Sequence, residues 1–216
     1  MDPRDHGMSQ VRRPTSTTRR KSETVPLLVT TYSGLRVSEK GFWRLCRDNT
    51  DLRLERTARG ELIVMAPVGS DGGWRNGRLT LRLGNWSEAD GTGEFFDSSA
   101  GFKLPNGNTR SPDASWIVRE RWVAIPLVAR KKFAPICPDF VAELRSPSDD
   151  LATLRDKMRE YVDQGARLAW MIDPKTREVE IYRPGRAVEA CDRPATLSGE
   201  DVLPGFVLDL RGILFD

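Results

Sequence analysis

Two short apolar runs, each opened by a Pro-Asp pair, most constrain the fold of this chain. They span residues 111–118 and 138–145, and their β-branched and aromatic residues are typical of buried strands that begin at a proline. A helix of roughly residues 119–130 is predicted between them. A long helix is predicted after the second run, from about residue 149 to 164, with an apolar stripe at Leu151, Leu154, Met158 and Tyr161. Strands alternating with helices predict an α/β domain with a mixed sheet and helices on both faces.

The rest of the chain is consistent with one domain. The 216 residues are enough for a single ordinary core. Residues 1–30 are basic and poor in aromatic side chains, which predicts a disordered tail, and residues 31–216 form the predicted domain. The other predicted elements are a helix at 38–48 capped by Ser38, a hairpin at 52–65, a helix at 73–88, two short strands within 94–104 and a hairpin at 168–182.

Composition excludes several kinds of chemistry. The only histidine is His6, so a Ser-His-Asp triad, a Cys-His pair and a histidine-rich zinc site are not expected. No GxxxxGK[ST] loop is present. The cysteines Cys46, Cys137 and Cys191 lie far apart, which favours free thiols in a reducing compartment. With no secretory segment and no apolar run of about 18 residues, we expect a cytoplasmic protein without a membrane partner.

Net charge gives no support for nucleic-acid binding. The chain has 34 basic and 31 acidic residues, a formal charge of +3. Residues 1–30 hold six of the basic and three of the acidic ones, so the predicted domain has 28 of each. A neutral domain can still contain a basic cleft, but total charge does not demonstrate one.

Asp113 and Glu143 are the candidate metal ligands. Asp113 opens one predicted strand and Glu143 lies inside the other, where burying an acid is costly without a cation or a partner. Carboxylates on neighbouring strands lie about 5 Å apart at Cβ, which suits Mg²⁺. Asp139 lies four residues before Glu143 on one strand, about 13 Å away and too far to share its ion. It is favoured as a strand-start residue.

A cation near the attacking water is the third expected component. Two residues after Glu143 the chain has Arg145, which does not deprotonate and suits stabilisation of phosphate charge. Lys157 flanks the apolar stripe of the long helix, so its stem could bring the ammonium to the strand face. The spacing alone equally allows a surface lysine beside that stripe.

These residues together resemble the bacterial Uma-two family, a restriction-endonuclease-like branch of the PD-(D/E)XK nuclease superfamily. The resemblance covers about residues 35–212 and rests on Ser111-Pro112-Asp113, on residues 138–149, on Lys157 with Tyr161, and on residues 170–174. It also includes residues 55–57 and 101–105. It implies a mixed sheet flanked by helices, and a site of Asp113, Glu143 and a lysine moved from strand to helix, here Lys157. Many members have a further polar residue on the helix near 73–88, where this chain has Asp71, Arg75 and Asn76.

The sequence therefore predicts a metal-dependent endonuclease that hydrolyses phosphodiester bonds in nucleic acid, with DNA as the favoured substrate. Asp113, Glu143 and the carbonyl of Leu144 would coordinate Mg²⁺ or Mn²⁺, Lys157 would orient or activate the water, and Arg145 would stabilise the phosphate. Glu61 is a weaker candidate ligand, with a solvent-facing strand glutamate as the favoured interpretation. The expected partners are nucleic acid and a second copy in a homodimer. The alternative is a non-catalytic nucleic-acid-binding or assembly module that keeps the fold.

Overall fold

The computed structural model describes residues 35–65 and 67–215, so the predicted tail at residues 1–30 lies outside the described part. Twelve strands and five helices are described there. In chain order they are α1 (Glu39–Asp48), β1 (Arg53–Arg56), β2 (Leu62–Met65), α2 (Ser70–Asp90), β3 (Gly93–Asp97), β4 (Phe102–Lys103), β5 (Thr109–Arg110), β6 (Ala114–Val118), α3 (Arg119–Ala124), α4 (Leu127–Arg130), β7 (Phe140–Leu144), α5 (Leu151–Asp163), β8 (Leu168–Asp173), β9 (Glu178–Tyr182), β10 (Glu189–Asp192), β11 (Thr196–Ser198) and β12 (Val207–Asp209).

A six-stranded mixed sheet is the centre of the fold, in the order β10-β9-β8-β7-β6-β3. β6 pairs antiparallel with β7, with Ala114 opposite Ala142. β7 and β8 are parallel because α5 crosses back between them, and the other pairs in this sheet are antiparallel. This confirms the predicted mixed α/β fold, with helices packed against the sheet.

The two faces of this sheet bury different clusters, and β7 shows how the strand alternation divides them. Phe140 and Ala142 face the cluster built around α2 and the C-terminal segment. Val141 faces the cluster that contains the α5 stripe, which includes Met158 and Tyr161. Successive side chains point to opposite faces, so Glu143 lies on the α5 face with Val141.

A second sheet, ordered β2-β1-β5-β4, brings β1 to the same region. β1 pairs along its length with β2 and, through Arg56 and Thr109, with β5. β5 leads through Ser111 and Pro112 to Asp113 and β6. The connection therefore joins the small sheet to the central one at the start of β6.

Close packing at the sheet edge requires a glycine at the start of β3. A Cβ on Gly93 would lie 2.2 Å from the Trp116 ring and 2.5 Å from the carbonyl oxygen of Ile117. Any side chain here would collide with β6, so the pairing of β3 depends on this glycine.

The structure differs from the prediction in several elements: α2 is longer at both ends than the predicted helix at 73–88, and β10, β11 and β12 lie beyond the last predicted hairpin. The helix predicted over residues 119–130 is two short helices, because Pro126 separates α3 from α4. The strand predicted from residue 111 begins at Ala114. Asp150 caps α5 by accepting a hydrogen bond from the Thr153 amide at 2.8 Å, where Ser148 or Asp149 was expected. Among the described residues, no helix is long and apolar enough to cross a membrane.

Candidate active site

Four parts of the fold meet at a cavity of about 860 Å³ on the α5 face of the central sheet. β1, the link between β5 and β6, the end of β7 and one side of α5 line this cavity. The antiparallel register pairs Ala114 with Ala142, so Asp113 and Glu143 continue that register by one residue. The structure therefore brings Asp113, Glu143 and Lys157 to one cavity.

Asp113 is held by the backbone of the neighbouring strand. Its Oδ2 accepts a hydrogen bond from the Leu144 amide at 2.9 Å. Its Oδ1 is 3.3 Å from Nη2 of Arg53 on β1, in a long and partly exposed ion pair. The strand amide fixes one oxygen, while Oδ1 keeps capacity for a further partner.

Glu143 is buried, with 6% of its surface exposed. Its Oε1 accepts a hydrogen bond from the Tyr161 hydroxyl at 2.9 Å and contacts the Lys157 ammonium at 2.8 Å. Burial raises the pKa of Glu143 to about 7, and the negative charges of Asp113 and Glu55 add to that rise, although Lys157 opposes it. Within the described residues, no group donates a hydrogen bond to Glu143 Oε2.

Lys157 joins two carboxylates. Its ammonium lies 2.8 Å from Glu143 Oε1 and 3.0 Å from Glu55 Oε1. Burial alone would lower the pKa of Lys157, but the two carboxylates raise it above its ordinary value. Lys157 is therefore a charged residue inside the site and not a surface lysine beside the apolar stripe.

Glu55 was not identified from the sequence. It is 2% exposed on β1, and its Oε1 also accepts the Ser111 amide at 3.0 Å, while Arg110 lies 3.1 Å from Oε2. Burial would raise its pKa, but Lys157 and Arg110 bring it below the ordinary value. The sequence signals at this position were the alternation of β1, which puts Arg53 and Glu55 on one face, and the place of residues 55–57 in the family resemblance.

Glu61, the weaker candidate ligand, does not line this cavity. Its carboxylate accepts a hydrogen bond from the Thr57 hydroxyl at 3.0 Å within the turn between β1 and β2. Of the two glutamates near that hairpin, the structure brings Glu55, and not Glu61, to the candidate site.

Asp139 is a structural residue, as the spacing argument favoured. It is 2% exposed, and its carboxylate accepts the Val118 amide at 3.0 Å and Nη1 of Arg121 at 2.7 Å. These bonds join the start of β7 to the end of β6 and to α3. Both carboxylate oxygens are used inside the fold.

Arg145 lies outside the cavity that contains Lys157. Its Nη1 is 2.6 Å from Asp173 Oδ2, and it lines a second cavity together with Asp113 and Leu144. Arg145 therefore does not lie beside Lys157, in the cavity where it was expected to stabilise the reacting phosphate. Asp71, Arg75 and Asn76 of α2 line the same second cavity.

The donor chemistry at Asp113 and Glu143 fits a hard divalent cation. Mg²⁺ is commonly bound by one or two carboxylates, with water in its remaining positions. Glu143 Oε2 has no hydrogen-bond donor within the described residues, and Asp113 Oδ1 has only the long contact with Arg53 at 3.3 Å. Across residues 35–65 and 67–215, no group of three or more His, Cys, Asp or Glu side chains is arranged to hold an ion. Glu55 is separated from such a role by the Lys157 ammonium.

One family model and one solved structure agree with this fold. The chain aligns with a crystal structure from Anabaena variabilis, described as a "putative nuclease", at a TM-score of 0.68 and 18% identity, over 82% of this chain and 97% of that one. A part of a DrdV–DNA complex aligns over 56% of this chain and 11% of that one, at 17% identity and a TM-score of 0.35, too low to establish a shared fold. No curated protein sequence matches. The model of the Uma2 family matches residues 40–211, so the chain belongs to this family, described as "Putative restriction endonuclease".

Proposed function

We propose that this protein is a metal-dependent endonuclease that hydrolyses phosphodiester bonds in nucleic acid, with DNA as the substrate. Membership of a family described as restriction endonucleases supports the reaction class. The observation that carries the proposal is the junction of Asp113, Glu143 and Lys157 at one cavity, with the lysine ammonium 2.8 Å from Glu143. Two hard oxygen ligands beside a fixed positive charge suit phosphodiester hydrolysis.

In this proposal Asp113, Glu143 and the carbonyl of Leu144 would hold Mg²⁺ or Mn²⁺. The bound ion would supply Lewis-acid polarisation and a water of lowered pKa. The Leu144 amide fixes Asp113, and Tyr161 fixes Glu143, so both carboxylates are oriented before substrate arrives. Such preorganisation avoids the cost of reordering the ligands during the reaction.

Lys157 acts as a cation in this proposal rather than as a proton acceptor. Its raised pKa keeps the ammonium protonated near neutral pH. A protonated lysine can donate a hydrogen bond that orients the attacking water, and it can stabilise negative charge that develops on the phosphate. Glu55 positions Lys157 from the opposite side, because its Oε1 contacts the Lys157 ammonium at 3.0 Å. Arg110 forms an ion pair with Oε2 of Glu55.

A non-catalytic nucleic-acid-binding or assembly module is the second candidate. The observation that favours it is the ion-pair arrangement of Glu55, Lys157 and Glu143, in which the carboxylates already have a protein cation. An ion-pair network of this kind can also serve only to maintain the fold. The two candidates differ in whether the protein cleaves nucleic acid when a divalent cation is supplied.

Plasmid cleavage in Mn²⁺ tests the proposal. We expect the parent protein to nick or degrade plasmid DNA and Asp113→Asn to remove that activity. Asp201→Asn is the matched control, because it makes the same charge change at a highly exposed position that lines neither this cavity nor the one beside it. A parent protein that binds DNA or RNA but cleaves neither with metal would establish the second candidate instead.

Lys157 needs a variant pair, because its removal leaves two buried carboxylates without their cation. Lys157→Met alone should lose about 3–5 kcal/mol of stability, the usual cost of breaking a buried pair. The double variant Glu55→Gln, Lys157→Met should recover much of that loss but still cleave roughly 10²-fold or more slowly than the parent. A stable double variant with parental activity would show that Lys157 has no role in the reaction.

A further inference from the structure

A second cavity of about 310 Å³ lies beside Asp113, on the side away from α5. It shares Arg53, Asp113 and Leu144 with the larger cavity, so the two adjoin at the candidate ligand. The first turn of α2, the end of β7 and the turn after β8 form its walls. Its basic side chains are Arg53, Arg75, Arg145 and Lys175, and its acidic ones are Asp71, Asp113 and Asp173.

Two guanidinium groups in this wall each have a buried N–H without an acceptor. Within the described part of the chain, Nε of Arg53 and Nε of Arg145 are both buried and have no hydrogen-bond partner. Their Nη atoms are used by Asp113 and Asp173. Both atoms are shielded from the open cavity that their residues line, and because an unpaired buried charged donor is costly, each guanidinium gains by turning this N–H toward an acceptor bound in that cavity.

The acceptor expected from this chemistry is an anion. Arginine N–H groups recognise phosphate and carboxylate oxygens, and a phosphate offers enough oxygens to reach more than one guanidinium. Lys175 adds an exposed ammonium at the mouth of the cavity. The first turn of α2 also lies in this wall, and its N-cap is Gly69, which has no side chain that could occupy the helix amides.

The larger cavity has the opposite charge balance on its α5 side. Its exposed rim has one basic residue, Arg159, against the acidic residues Asp150, Asp156 and Asp163, while Glu160 is paired with Arg110 inside the cavity. A polyanion would be repelled by that rim and attracted to the side that has Arg53, Arg145 and Lys175. The two sides of Asp113 therefore differ in how favourably they receive a nucleic-acid backbone.

We propose that the 310 Å³ cavity is a phosphate subsite for the nucleic-acid strand. It takes a backbone phosphodiester next to the one presented to Asp113 and Glu143, with Arg53, Arg145 and Lys175 as its donors. This inference rests on the proposed nuclease function, and it specifies on which side of Asp113 the nucleic-acid strand runs. Arg145 thus contacts the backbone of the substrate rather than the reacting phosphate.

DNA binding in EDTA, measured by fluorescence anisotropy over a range of salt concentrations, tests the subsite. Losing one phosphate contact lowers the slope of log K against log salt by about 0.9 for duplex DNA. We expect this decrease for Lys175→Ala and no decrease for Lys132→Ala, a matched exposed lysine that lines neither cavity. Arg145→Lys keeps the net charge but removes the Nε donor, so its DNA affinity should fall roughly fivefold to tenfold.

Cleavage of plasmid in Mn²⁺ by the same preparations separates the subsite from the nuclease function. If the parent cleaves while Lys175→Ala and Arg145→Lys bind DNA with the parent's affinity and salt slope, the subsite is wrong and the nuclease proposal stands. If the parent neither binds nor cleaves nucleic acid, both proposals are wrong. Melting temperatures of each variant show whether Arg145→Lys has weakened the fold through Asp173 instead of the subsite.

Discussion

At the scale of single residues, the site is a set of coupled charges in which the carboxylates share the cations unequally. Glu55 and Glu143 share the Lys157 ammonium, but Glu55 also receives Arg110 and the Ser111 amide. Glu143 instead faces the negative charge of Asp113. This difference explains why the pKa of Glu55 is lowered while that of Glu143 is raised.

The raised pKa of Glu143 predicts a pH-dependent loss of stability without metal. The folded state holds a proton up to a pKa of about 7, whereas the ordinary value is 4.5. The folded state therefore binds more protons between these values, and the free energy of unfolding falls as pH rises through that range. Glu143→Gln keeps the shape of the protonated carboxyl but does not titrate. The free energy of unfolding of this variant should therefore not fall in that pH range.

We expect the melting temperature of Glu143→Gln, minus that of the parent in EDTA, to increase between about pH 5 and pH 8. Glu88→Gln, at an exposed position on α2, controls for the loss of one negative charge. Calorimetry across this range makes the measurement. A difference that stays constant with pH would show that Glu143 does not take up a proton on folding.

The site was partly predictable from the sequence, and Glu55 shows where the argument failed. Glu143 attracted attention because it interrupts an apolar strand, where burial of an acid needs a reason. Glu55 lies in a strand that alternates charged and apolar residues, a pattern typical of a solvent-facing side. Its burial comes from packing of β1 against α5 and the β5–β6 link, contacts between segments more than fifty residues apart. The catalytic and metal-binding roles themselves stay predictions.

At the scale of elements, β7 and the residue just before it provide two buried acids that make different contacts. Asp139 precedes the strand and fixes its neighbours, and Glu143 near its end faces the cavity. The pattern of apolar runs was enough to predict both central strands and α5. It could not predict the division of α3 from α4, because a single proline can kink a helix or end it, and here the Pro126 backbone turns the chain.

The different contacts of the aspartates in the two Pro-Asp pairs predict opposite outcomes for two similar substitutions. Asp139→Asn should reduce the free energy of unfolding by roughly 2 kcal/mol or more, because it weakens charged hydrogen bonds to the Val118 amide and Arg121. Its Mn²⁺ affinity should equal that of the parent. Asp113→Asn should lose Mn²⁺ affinity with a smaller effect on stability, because Asp113 is partly exposed and its Oδ1 has only the long contact with Arg53.

Chemical denaturation and titration calorimetry with Mn²⁺ provide the two measurements. If Asp139→Asn removed metal binding from a protein that is still folded, Asp139 would belong to the site and the assignment of the two Pro-Asp pairs would be reversed. If both substitutions affected only stability, the metal-site proposal would lose its support from Asp113.

At the scale of the whole molecule, the predicted domain is neutral in total but has two surface regions of opposite charge beside the candidate site. Residues 31–216 have equal numbers of basic and acidic side chains. Around the candidate site these are separated, with arginines and Lys175 on the α2 side and an acidic rim along α5. Composition could not show this separation, because it depends on which elements the fold brings together. A local field of this kind can direct a polyanion even when the total charge is close to zero.

The acidic rim predicts a gain of function in DNA binding. Asp163 is exposed at the end of α5 and lines the larger cavity. Asp163→Lys should raise the association rate for DNA several-fold at low salt, because it replaces repulsion at the rim with attraction. Asp201→Lys is the matched control, since it makes the same charge change at a highly exposed position that lines neither cavity.

At about 1 M salt, where charges are screened within roughly 3 Å, the gain should disappear. Stopped-flow binding at two salt concentrations measures both effects. Equal rates for the two variants at low salt would mean that the acidic rim does not repel DNA as it approaches the cavity.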